Sequence, residues 1–230
     1  SFEDNHFTTD PSENSSHLLT HFNNNLKNKN FSKAVTNASY NVFPFPIEAP
    51  TFGSRAIVSN PWDLTASPEG WHSNGTTNYT NTYGNNVLAY VDNNASNTVG
   101  FTPSSTTSGN LTFDFPFAES TSLSAYDNRA SAVTNLFYAN NMIHDIMYKF
   151  GFTETSRNFQ SNNFGKGGGG NDAVRAEAFD GSGYNNANFA SGYEIQNSNG
   201  SYTTQAPRMQ MYLWNYNVPV KQRLFYTDPV

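Results

Sequence analysis

The chain has 230 residues, long enough to bury a core in one large domain or one and a half. Charged residues make up only 13%, while Asn occurs 34 times and aromatics reach 15%, so large apolar anchors sit between polar loops and general disorder is excluded. A net charge of −6 without a basic run argues against a nucleic-acid or anionic-membrane partner, the lack of cysteine removes disulfides, thiolate zinc sites and cysteine nucleophiles, and no apolar window is long enough to span a membrane.

The sequence starts at Ser1 with neither initiator Met nor signal peptide, so a processed or recombinant piece of a longer protein is expected. Loops rich in Asn, Ser and Thr with few Lys and Glu suit a secreted, extracellular protein. Residues 1–37 read as a polar linker or pro-segment remnant, although Leu18, Leu19, Phe22 and Leu26 fall at helical spacing. From Ala38 the run ASYNVFPFPIEAP is extended, and Pro44, Pro46 and Pro50 forbid a helix and favour an edge strand or surface wrap. Over residues 51–117 short runs (RAIVSNPWDL, NVLAYVD, LTFDFPF) alternate with Asn/Gly/Ser/Pro clusters, the pattern of an irregular β-rich section without internal repeats.

A helix of about 20 residues follows. Val133, Leu136, Phe137, Asn140, Ile143, Met147 and Phe150 recur at i, i+3, i+4, i+7 spacing, Ser124 or Asp127 offers an N-cap, and Gly151 a stop. NNFGKGGGGND reads as a flexible turn. AVRAEAFD and PRMQMYLW read as strands, the latter alternating Met209, Met211 and Leu213 against Arg208, Gln210 and Tyr212, with DGSGYNNANF and a polar loop between them.

Candidate chemistry is sparse. His144–Asp145 in HDIMY has the spacing of the zinc-helix motif HExxH, but Asp stands for Glu and Tyr148 for the second His, so a structural or supporting role is favoured. His6, His17, His21 and His72 lie in polar, loop-like sequence with no metal spacing, and no serine sits in a nucleophile elbow. GKGGGGND lacks the ending of a P-loop. Asn171, Asp172 and Asp180 are candidate oxygen ligands for calcium, at a spacing that matches no EF-hand. Sequons at Asn74, Asn78 and Asn110 are uninformative in so Asn-rich a chain.

The blocks NLFYANNMIHDIMYKFGFTE, NFQSNNFGKGGGGND, DGSGYNNANFA and PRMQMYLW, preceded by ASYNVFPFPIEAPTFGSR, NPWDLTASPEGWH and TYGNNVLAYVD, resemble in order and spacing the fungalysin family of secreted zinc metallopeptidases, in its bacterial branch, and more distantly thermolysin. The resemblance covers roughly Ala38 to Trp214. It implies an α+β fold: a β-rich N-terminal section of the peptidase domain over residues 38–125, then a small thermolysin-like lobe over 126–230, a long helix plus mixed or antiparallel sheet, lining the substrate cleft.

In such enzymes the asparagine-bearing strand runs along the cleft edge and pairs with the substrate backbone. Carried over by position, the resemblance places the backbone-holding Asn at Asn186 and the strand carbonyl at Ala187, flanked by Tyr184 and Phe189. An Asn offers one donor and one acceptor to a peptide unit and so reads a backbone rather than a side chain. Without the family, Asn185–Asn186 reads as a turn.

The HExxH helix and later glutamate ligand of the family are not among these residues. The expectation is therefore the N-terminal half of a zinc metalloendopeptidase, inactive alone, with no catalytic or metal residue in this chain. Zinc, a polypeptide substrate and a C-terminal half or partner chain complete it. The alternatives are a non-catalytic peptide- or surface-binding module on the same lobe, and a glycan-binding β module if Trp62, Trp71 and Trp214 are exposed and coplanar.

Overall fold

The computed structural model of the chain describes residues 35–48, 50–107, 109–118 and 128–214, which belong to one compact unit. The amphipathic run at Leu18–Leu26, His6, His17, His21 and both expected N-caps, Ser124 and Asp127, lie outside the described residues.

Strand β1 (Ala38–Val42) is flanked by β2 (Ala56–Ser59), antiparallel, and β4 (Leu111–Phe113), parallel. It is therefore the middle strand of its sheet, not the edge strand or wrap expected from its prolines. Pro44, Pro46 and Pro50 all follow the strand, so every residue from Ala38 to Val42 keeps its N–H for a ladder. The alternation of buried and half-buried residues along the strand sends Ala38, Tyr40 and Val42 to the core.

A second sheet has the order β3–β5–β9–β6, built from β3 (Val87–Val91), β5 (Val174–Tyr184), β9 (Arg208–Leu213) and β6 (Ala187–Ala190). The β3–β5 and β5–β9 pairs are parallel and β6–β9 is antiparallel, so the sheet is mixed. NVLAYVD, AVRAEAFD and PRMQMYLW are all strands of this one sheet. The polar loop expected after β6 is instead a hairpin of β7 (Tyr193–Gln196) and β8 (Tyr202–Gln205). Its turn at Asn197–Gly200, with Gly200 at φ 82°, supplies the signal that the polar composition hid.

Helix α1 (Arg129–Lys149) packs on β1, β3 and β5. Its buried positions Val133, Leu136, Phe137, Asn140, Asn141, His144 and Asp145 step by three and four residues, the helical period. The start is Asn128, whose side chain bonds Ala118 through both N–H and C=O at 3.0 Å instead of capping the helix. At the other end Phe152 N–H donates to Met147 O and Gly151 N–H to Tyr148 O, each at 3.1 Å, a Schellman closure that needs the positive φ of Gly151 (97°).

The core between the helix and sheets is aromatic. Tyr40, Trp71, Phe113 and Phe137 are fully buried, and Trp62 meets Trp71 edge-on. With Trp71 inside and Trp62 tilted 66° against it, no exposed coplanar pair exists there for a glycan platform. His72, expected in a loop, is buried with its ring stacked against Phe113 and Phe137 and bonded to Tyr40 Oη at 2.7 Å. Burial pushes its pKa down to about 4.

Candidate functional site

β5 runs up one side of β9 and the chain returns as β6 down the other. The crossing is made at Asn185 and Asn186. Asn185 holds a left-handed φ of 56°, tolerated by Asn, and its N–H donates to Leu213 O at 2.9 Å. Tyr212 N–H donates to Asn186 O at 3.3 Å. Asn185 is thus a turn residue, as the bare sequence suggests, whereas Asn186 leads into an extended strand.

Among the described residues β6 has β9 as its only partner and is an edge of the sheet. Because peptide groups alternate sides along a strand, the Asn186 carbonyl directed to Tyr212 leaves the Ala187 backbone on the open side. There Ala187 N–H donates to Asn186 Oδ1 at 2.8 Å. Asn188 reaches the opposite way, donating to Gln210 Oε1 and Tyr212 Oη at 2.8 and 2.7 Å. Asn186 is exposed, Ala187 half-buried, and Tyr184 and Phe189 keep 61% and 47% of their surface; Ala187 and Phe189 belong to β6, whereas Tyr184 ends β5 and pairs with Leu213 on the other side of β9.

Beneath Phe189 opens a cavity of about 270 Å³ lined by Ile143, Met147, Phe152, Phe159, Phe189 and Met209 among others. Ile143 and Met147, expected in the core stripe, are over 40% exposed here because the sheet ends at β6 and leaves the last turns of α1 uncovered. His144 also lines the cavity. Its Nδ1 donates to Asp145 Oδ1 at 2.9 Å, and its buried Nε2 has no partner. Asp145 accepts from Ser67 Oγ, Trp71 Nε1 and Asp63 N at 2.6, 2.9 and 2.9 Å, a structural hub tying the helix to residues 63–71.

The described residues do not fit a zinc centre. Of their two histidines, His72 is enclosed by aromatic rings, His144 is committed to Asp145 at one nitrogen, and neither joins a ligand cluster. The one group of metal-ligand type among the described residues is all-oxygen: Asp92, Glu177 and Asp180, each buried, with one carboxylate oxygen from each within 4.8 Å of the others. Asp180 was expected beside Asn171 and Asp172. The structure places it instead with Asp92 and Glu177, while Asp172 accepts from Gln160 N at 3.0 Å. The cluster was not anticipated because 85 residues separate Asp92 from Glu177 and only the β3–β5 pairing joins them. A glutamate inside the apolar run AVRAEAF was the available signal. Burial raises the carboxyls of Glu177 and Asp172, each to about 6.

The turn at GKGGGGND is tightly packed. Asn163 Nδ2 donates to Gly167 O and Gly169 O at 2.9 and 2.6 Å, and a Cβ at Gly168 would fall 2.0 Å from Glu154 O.

The second sheet thus ends, among the described residues, in a free strand edge beside an apolar cavity. The family described as fungalysin metallopeptidase matches residues 39–228, and the chain belongs to that family. It is 40% identical over 200 residues to "Extracellular metalloproteinase 5" of Trichophyton tonsurans, covering 83% of this chain and 29% of that protein. It is 44% identical over 193 residues to "Probable extracellular metalloproteinase 5" of Arthroderma benhamiae and 42% identical over 193 residues to "Extracellular metalloproteinase 2" of Phaeosphaeria nodorum, covering 28% of each. The chain therefore spans less than a third of the length of these relatives. No described helix is long and apolar enough to cross a membrane.

Proposed function

We propose that this chain is the substrate-binding N-terminal part of a secreted, zinc-dependent metalloendopeptidase. Its zinc helix and remaining ligands lie in a further segment of the same polypeptide or in a partner chain. The observation that carries the reading is the open margin of β6 in a fungalysin chain. A polypeptide substrate adds there as a strand, held by the backbone of Ala187 and the side chain of Asn186, with Tyr184 and Phe189 on either side. Strand addition supplies backbone hydrogen bonds, so this margin holds the peptide while the rest of the enzyme sets side-chain preference. The uncovered end of α1 and the cavity beneath Phe189 are the surface against which the catalytic segment packs, because a soluble domain seldom leaves so many large apolar groups together in water. The relatives' names support an extracellular setting.

The test is Asn186→Ala in the complete peptidase, assayed on an unstructured polypeptide. Loss of a backbone-holding amide lowers kcat/KM by about 10- to 100-fold with the thermal midpoint unchanged. Unaltered kinetics would falsify the assignment. Retained peptide binding by a wild-type protein that never hydrolyses its peptide would favour the non-catalytic module.

A further inference from the structure

The fold buries three carboxylates with too little positive charge to balance them. Asp92, Glu177 and Asp180 are 3%, 0% and 1% exposed. Among the described residues only Arg208 Nη1, 3.2 Å from Glu177 Oε1, approaches them as an ion-pair partner. Polar neighbours account for most of the oxygens. Asp92 accepts from Ser96 N, Ser96 Oγ and Asn97 N at 3.0, 3.0 and 2.7 Å. Asp180 accepts from Ser182 N at 2.8 Å and Gln210 Nε2 at 3.0 Å. Glu177 Oε1 accepts from Tyr90 Oη at 2.8 Å. Glu177 Oε2, enclosed beside the other two carboxylates, accepts from no hydrogen-bond donor among the described residues. An unpaired buried carboxylate oxygen is costly, and two uncompensated negative charges more so.

The backbone is built to bring these groups together. Glu177 and Asp180 are three residues apart, which in a regular strand puts them on opposite faces. β5 is irregular at that point: its register with β9 shifts between Ala178 and Asp180, and Phe179 takes a φ of 54°, costly for a bulky residue. The bulge turns Asp180 toward Glu177. Gly181 then lets the Asp92 loop close in, since a Cβ there would sit 2.4 Å from Asn93 O.

We propose that Asp92, Glu177 and Asp180 form a binding site for a divalent cation of the hard, oxygen-preferring class, calcium above all. Two oxygens bound to one calcium at about 2.4 Å lie at most about 4.8 Å apart, so the ligand atoms are already spaced for one ion. A charge of +2 neutralises the surplus left by Arg208 and gives Glu177 Oε2 the partner it lacks. The all-carboxylate donor set disfavours zinc and suits calcium. Bound calcium also braces the proposed substrate margin, because Gln210 links Asp180 to Asn188 of β6.

The test uses the 230-residue chain stripped with EGTA and then given calcium chloride, read by equilibrium dialysis and thermal unfolding. Wild type is expected to take up one calcium at this site and to gain about 5 °C in Tm at saturating calcium. Asp180→Asn and Glu177→Gln, which keep shape and hydrogen-bond acceptors, each lose that equivalent and that shift. Dialysis reads either variant even if its unfolding becomes broad. No uptake by wild type, or the same uptake in both variants, overturns the proposal. So does a wild type indifferent to calcium whose Glu177→Gln form is simply more stable, the behaviour of two carboxyls sharing a proton.

Discussion

Asp145 shows how much one side chain can carry. It gathers Ser67 Oγ, Trp71 Nε1 and Asp63 N onto one carboxylate inside the protein. Asp145→Ala strands all three donors, and the expected loss is about 3–5 kcal/mol in urea unfolding, against under about 0.5 kcal/mol for a change at exposed Ile195. Asp172 carries a pH signature. With its carboxyl raised from 3.8 to about 6 by burial, and further by the charge of Glu194, the folded chain holds a proton that the unfolded chain has released between those values. Its contribution to stability is full below pH 3.8 and is lost as pH rises to about 6. Asp172→Asn keeps the acceptor for Gln160 N–H and removes the titration. The stability of wild type relative to this variant is expected to fall between pH 4 and 6.5, by on the order of 2 kcal/mol. His72 acts in the opposite sense, its contribution present above pH 6.5 and lost toward about 4. It cancels in the comparison of wild type with variant, so the difference between them is the quantity to measure.

Among the elements, α1 was the most legible. Val133, Leu136, Phe137 and Asn140 announced its buried face, and Gly151 its end, because both signals are local. Gly151→Ala places a Cβ in open space but forces an L-residue to a φ of 97°, so a cost of about 1 kcal/mol is expected from strain alone, measured by chemical denaturation. The helix start was not legible: Asn128 faces Ala118 rather than its own first turn, a tertiary choice invisible in the local pattern. β1 was misplaced for a related reason. Proline clusters mark a strand's neighbourhood, but only their positions relative to the ladder decide whether it can sit centrally. The bulge at Phe179 had no local signal either, since nothing in AEAFDG requires a positive φ before Gly181. What makes the bulge worth its strain is its partner loop, 85 residues earlier.

At the scale of the whole molecule, the family resemblance and the strand pattern together gave the α+β class and the edge position of YNNANF. Sequence periodicity could not show where the core stops. Ile143 and Met147 fit the buried stripe as well as Leu136 does, yet they overhang a cavity because the sheet does not extend over them. A helix stripe records what is eventually covered, not which part of the polypeptide covers it, and for these two residues we assign the cover to the catalytic segment. The same reasoning separates the two polar clusters of the second sheet. The open backbone at Ala187 is where we propose that a transient peptide partner adds, whereas Asp92, Glu177 and Asp180 are sealed in around the cation proposed for them.

The order of strands also has a consequence in time. β9 is the last described strand, yet it lies between β5 and β6, both of which precede it. Neither can close on the other, so during synthesis the slot between them stays open until residues 208–213 arrive. β6 then gains its described neighbour β9 in a single event, by a contact that spans the β7–β8 hairpin. The margin proposed to hold substrate thus comes into being only when the sheet is finished, and a ribosome that pauses before Arg208 carries a lobe without it.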